Sequence, residues 1–266
     1  MNIRYILISA AIFVLFANFI ACGGQFYQVS MEQDVDAKRV SAEAARVDSP
    51  IFGIHAPGGW DLPIPYKAGD DLRDDQVVEL KAAMAIWEKV VGRKLFAFQG
   101  KDKGVTGNSF PDLYSSLKDS VNCNYMDDPW SKTKKPETVL ATTIWDNDAT
   151  GRKVAKADIR YNSDKFIFGD AMRLRPSDTK EIVDLRSLAL HEVGHLLGLA
   201  HVTSDNDKYS VMNPSLFIGE GLTYRCPSKG DVERMQKIYG CEGDTCSIDS
   251  VMQALAKDSA SCKQNT

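Results

Sequence analysis

The sequence predicts an α+β protein, and three observations carry that expectation. Three segments repeat apolar residues at helical spacing, several short runs have the look of strands, and most strands precede the later helices. There are too few strand–helix–strand units for a wound parallel sheet. The chain of 266 residues is 44% hydrophobic and 26% charged, which is globular rather than disordered or fibrous. Its net charge of −4 mixes both signs with no long basic block, so nucleic acid is not expected as a partner.

The opening stretch "MNIRYILISAAIFVLFANFIAC" sets Arg4 ahead of an apolar run from Tyr5 to Ala21, the pattern of an export signal. Cutting after Ala21 would place Phe19 where the ordinary peptidase wants a small residue. "FIAC" instead resembles the lipobox of bacterial lipoproteins, with Cys22 as the lipidated residue and Phe19 where leucine is usual. An uncleaved anchor is the alternative, since about 17 apolar residues is at the lower edge of a membrane span. Either way the rest of the chain is expected outside the cytoplasm on a bacterial membrane. Gly23 after Cys22 is compatible with an outer membrane or cell surface where one exists.

Residues 22–50 are polar and read as a tether. "DLPIPYKAG" reads as a strand whose prolines confine it to an edge or place them at its ends. A helix follows, capped by Asp74, with Val77, Leu80, Met84, Trp87 and Val91 on one stripe and Gly92 as its stop. "KLFAFQ" is a second strand. The polar, turn-rich stretch 100–136 reads as a long insertion. "VLATTIWD" and "KVAKADIRYN" pair across "NDATGR"; in the second, Ala155, Ala157, Ile159 and Tyr161 alternate with Lys156, Asp158 and Arg160, predicting one buried and one wet face. A second helix is expected from near Asp178, with Asp178 and Glu181 as a capping pair, through Leu185, Leu188 and Val193. A third starts at Ser228 or Asp231, buries Val232, Met235 and Ile238, and ends at Gly240.

The second helix runs into "HEVGHLLGLAH", which holds three of the four histidines. Residues four apart share a helix face, so His191 and His195 can address one point. Gly198 permits the positive φ that turns the chain back, bringing His201 in as a third donor. Three imidazoles with a fourth position left to water describe a catalytic rather than a structural zinc site. Glu192, next to the first histidine, is placed as general base for peptide hydrolysis. Five fixed residues in eleven positions arise by chance in on the order of one in 10⁵ chains of this length. Accident is a poor rival to the metal-site reading.

His191, Glu192, His195, Gly198 and His201 together resemble the signature of the metzincin zinc peptidases. Met212, eleven residues on in "SVMNPS", matches their methionine turn. Over residues 178–240 the chain is most similar to the matrixins and their bacterial relatives. That resemblance implies a twisted, mainly parallel sheet with an antiparallel edge strand, two helices above the cleft, and the methionine turn and third helix below. It also implies that Val139 to Asp146 is the edge strand that pairs with an extended substrate, and that Pro214 to Phe217 line the specificity pocket. Val202 departs from the usual serine, and Asn213 and Pro214 leave no tyrosine ligand after Met212.

His55 is the one histidine left over, too few for a second, structural zinc, and is read as a loop or surface residue. Calcium is a further candidate because "DND" occurs at 146–148 and 205–207. Apart from Cys22, the cysteines are Cys123, Cys226, Cys241, Cys246 and Cys262, enough for two disulfides and one free thiol in fifteen arrangements. The last three suggest a stapled tail.

The expected layout is a signal peptide over 1–21, a tether over 22–50, a zinc peptidase domain over 51–240 and a cysteine-containing tail over 241–266. The expected function is an extracytoplasmic zinc endopeptidase, monomeric, acting on protein or peptide. The rival is an inactive shell of the same fold serving as an adhesin or binding module.

Overall fold

The computed structural model describes residues 25–28, 52–177, 179–243, 246–258 and 262. In chain order the strands are β1 (Gln25–Gln28), β2 (Ile64–Gly69), β3 (Phe96–Asp102), β4 (Cys123–Asp127), β5 (Ala141–Asn147), β6 (Val154–Asn162), β7 (Phe166–Gly169), β8 (Glu181–Asp184) and β9 (Ser215–Ile218). The helices are α1 (Asp74–Val91), α2 (Leu185–Leu196), α3 (Lys229–Tyr239) and α4 (Ile248–Asp258). Strands β3-β2-β4-β6-β5 form one sheet in that spatial order. All its neighbours are parallel except the edge strand β5, which returns antiparallel along β6. This is the α+β architecture expected.

Leu80, Met84, Trp87 and Val91 of α1 are buried, and Gly92 ends the helix at φ 69°. The cap is Arg73 rather than Asp74: the Gln76 side chain accepts from the Arg73 amide at 2.9 Å. Asp74 and Asp75 instead occupy the first turn, where the helix dipole favours negative charge. Strand β2 lies inside the sheet, not at an edge. Its prolines are tolerated because pairing with β4 starts only at Lys67, beyond Pro65.

The stretch 100–136 is more than an insertion. It contributes β4, an interior strand buried along its whole length, and three short 3-10 turns at Gly107–Ser109, Tyr114–Lys118 and Trp130–Thr133. Those turns fold over the sheet face that was expected to be wet. Lys156, Asp158 and Arg160 are consequently buried, whereas Ala155 is exposed. Arg160 holds Asp127 at 2.9 and 2.6 Å and donates to the carbonyls of Gly107 and Leu113 at 3.1 and 3.0 Å.

Helix α2 begins later than its sequence pattern suggested. Glu181 belongs to β8, paired in parallel with β7, and the cap is Asp184, which accepts from the Ser187 amide at 3.0 Å. Asp178 lies outside the described residues. Ser228 caps α3 in a reciprocal capping box with Asp231. The tail contains α4, which packs on α3 and buries Val251, Met252 and Leu255. Disulfides join Cys226 to Cys262 and Cys241 to Cys246, and Cys123 is a buried free thiol. Within the stretch read as a tether, β1 pairs antiparallel with β9, Gln25 opposite Ile218. Residues 1–24, including the apolar run and Cys22, lie outside the described residues. Among those described, no helix is long and apolar enough to cross a membrane.

Candidate metal centre

The end of α2 turns sharply, and the turn assembles the site. Gly198 adopts φ 109°, and a Cβ there would stand 2.7 Å from the Ala56 carbonyl oxygen, so the position accepts only glycine. Beyond it, Leu199 and Ala200 bond back to Gly194 and Gly53 at 2.9 Å each, which carries His201 towards α2. The His191 Nε2 atom then lies 2.9 Å from that of His195 and 3.3 Å from that of His201. The three predicted ligands do converge.

Protonation follows from their other nitrogens. His191 Nδ1 lies 2.7 Å from the Val211 carbonyl and His195 Nδ1 lies 2.8 Å from that of Leu199. Carbonyl oxygens only accept, so each Nδ1 carries the hydrogen and each Nε2 offers a lone pair. Burial keeps the rings neutral. It is the largest cause that lowers His191 to about 3 and His201 to about 4, and it pushes His195 well below its ordinary value. Adjacent lone pairs at this distance repel unless a cation lies among them. Donors about 2.0–2.1 Å from a tetrahedral zinc stand about 3.3 Å apart, close to the separations seen. The donor set fits that ion.

Glu192 is buried between α2 and β5. Its Oε2 accepts from Thr143 Oγ1 at 2.6 Å, while its Oε1 is buried without a partner. Burial raises its pKa to about 7, opposed by the bonds from Thr143. A divalent cation among the imidazoles would draw that value down again.

Met212 packs beneath α2, where a Cβ on Gly194 would meet its sulfur at 2.5 Å. The segment is held from below by Asp231, which accepts from Ser210 Oγ at 2.6 Å and the Val211 amide at 2.8 Å. Asp231 thus serves its own helix and the carbonyl that orients His191. His55 is not among the three donors. It is half-buried, donates to the His195 carbonyl at 2.8 Å and stacks on Trp145 at 4.3 Å.

Thr143, Trp145, His55 and Asp231 were not singled out as site residues from sequence. Only the inward register of Thr143 and Trp145 on β5 could have flagged two of them. Asp148 and Asp207, from the two "DND" runs, are engaged by the hairpin turn and by Arg234 and Ser228 respectively. Among the described residues, the histidine triad is the one group of three or more acidic, histidine or cysteine side chains close enough to share an ion.

A mainly parallel sheet with an antiparallel edge strand, helices packed over it and this triad at a helix–turn junction define the metzincin class of zinc peptidases. The family model described as Matrixin matches residues 71–240, more than half of the chain, and the chain belongs to that family. It is 38% identical over 68 residues to Metalloendoproteinase 5-MMP of Arabidopsis thaliana, covering 26% of this chain and 17% of that one. Matrix metalloproteinase-25 of Mus musculus is 40% identical over 60 residues, 22% of this chain and 9% of its own. Metalloendoproteinase 2-MMP of Arabidopsis thaliana is 41% identical over 58 residues, 22% and 14%. The chain thus matches between 9% and 17% of the length of these relatives.

Proposed function

We propose that this chain is an extracytoplasmic zinc-dependent endopeptidase, in which His191, His195 and His201 hold the ion and Glu192 is the general base. The observation that carries the reading is the convergence of the three imidazole Nε2 atoms beside a buried carboxylate oxygen that no group among the described residues satisfies. A bound zinc ion would supply Lewis acidity, polarising a scissile carbonyl and acidifying water. The chain's own part is to place Glu192 Oε1 where it takes a proton from the attacking water and returns it to the departing amine. Among the described strands β5 is the outermost of its sheet, and its outer edge is where an extended peptide would pair. Cys22 is the proposed lipid attachment point and a bacterial membrane the proposed location, supported by the apolar run and the "FIAC" stretch.

The test is cleavage of casein or a quenched fluorescent peptide by the zinc-loaded chain and its Glu192→Ala variant, with zinc measured in both. The variant is expected to keep its zinc and lose about 10²–10⁴-fold in rate. Zinc bound without turnover in the parent chain overturns the peptidase reading in favour of a binding module.

A further inference from the structure

Three residues of β5, Ala141, Thr143 and Trp145, share one face of the strand, and Thr143 is 4% exposed. Its hydroxyl lies 2.6 Å from Glu192 Oε2 and 3.0 Å from the Glu192 main-chain oxygen. Both of these groups accept, and a hydroxyl has one hydrogen to give. The shorter contact falls in the range of a charge-assisted O–H···O⁻ bond. One carboxylate oxygen is therefore tied to the sheet, while the other has no partner.

We propose that Thr143 is the positioning residue for Glu192: its hydroxyl fixes Oε2 so that Oε1 alone is presented to the reacting water. The assignment rests on the peptidase reading given above. It also links two functions of β5, whose outer edge is open to a peptide strand while its inner face holds the base. An extended substrate lying along that edge and the carboxylate that serves it are then registered against the same strand. Among the described residues, Thr143 is the side chain seen bonding to this carboxylate.

Thr143→Val removes the hydroxyl at nearly constant shape, and Thr143→Ser restores it. For the zinc-loaded valine variant, kcat is expected to fall about 10–100-fold, the usual cost of losing a group that orients a metal-site residue. KM should change by less than about twofold, zinc content should stay stoichiometric, and serine should recover kcat to within about threefold. Crystal structures of the metal-free parent and valine variant give a readout independent of turnover: the Glu192 carboxylate should rotate or split in the variant. Unchanged kcat with an unmoved carboxylate overturns the proposal. So does a serine variant as slow as valine. Should valine fail to fold, Thr143→Ala carries the same comparison. If the parent never cleaves peptide yet the carboxylate moves in the variant, Thr143 keeps its positioning role and the peptidase reading falls.

Discussion

Two buried polar regions flank the sheet, and they are built on opposite terms. On the face covered by residues 100–136, Arg160 spends its donors on Asp127, on the carbonyls of Gly107 and Leu113 and on Ser116, while Lys132 adds a second cation to Asp127 at 2.8 Å. On the other face, under α2, three imidazole nitrogens crowd together, two of them with lone pairs facing inward, and a carboxylate oxygen is buried without a partner. The first region balances its charges internally and so acts as a structural clamp. The second stores an imbalance that an ion and a substrate can relieve. Buried polar groups cost free energy in both, but among the described residues only the second gathers donors close enough to share an ion.

Breaking the clamp should give the largest effect. Arg160→Met leaves the fully buried Asp127 with only Lys132, and removing one partner of a buried pair typically costs about 3–5 kcal/mol. For a domain of this size that corresponds to a drop of about 6–20 °C in Tm. The zinc affinity of the molecules still folded should be unchanged, measured by calorimetry after a urea titration. A variant that melts with the parent would mean that residues 100–136 are held by something other than this pair.

Breaking the imbalance should do the reverse. Free zinc at a hundredfold excess over its Kd stabilises a protein that binds it only when folded by about 2.7 kcal/mol. The parent chain should show that gain, and His201→Ala should lose most of it while its metal-free Tm stays within about 2 °C of the parent's. His201 is the least buried of the three, so truncating it removes a donor at small packing cost. Equal zinc shifts in both proteins would remove His201 from the ligand set.

The contrast also explains what could be read in advance. The triad is a local message: a four-residue helical repeat and a glycine turn lie within eleven positions, so periodicity and spacing suffice. The β5–β6 hairpin and α1 are local too. Strand β4 is not, because an interior strand buried on both faces loses the alternation that marks a half-wet one. The wet face expected of β6 failed for the same reason, since whether Lys156, Asp158 and Arg160 meet water depends on distant chain. The early start assigned to α2 shows a capping pattern overruled by β8 pairing with β7. Helix α4 lies in the stretch read as a tail, although Val251, Met252 and Leu255 carry helical spacing there. Thr143 and His55 touch the site across 49 and 140 residues, beyond what any local pattern encodes.

Some groups within the clamped region break its rule, Asp158 Oδ2 and Tyr125 Oη among them, and Asp71 supplies the finest test. Asp71 accepts from the amides of Gly107 and Met126 at 2.6 and 3.1 Å, yet its Oδ1 is buried without a partner and, among the described residues, no cation bonds to it. Burial raises its pKa to about 6, opposed by those two amides. A carboxyl whose folded value exceeds its unfolded value of about 3.8 favours the folded chain at low pH. That contribution is lost as pH rises from about 4 through 6, because the unfolded chain ionises first. The full slope for one proton is about 1.4 kcal/mol per pH unit, and partial exposure reduces the total to about 1–2 kcal/mol. Asp71→Asn has no such titration, so the stability of the parent relative to this variant should decline between pH 4 and 6, then level off. Urea midpoints measured across that range decide it. A constant difference would mean that Asp71 is ionised in the folded chain over that range, its charge balanced after all.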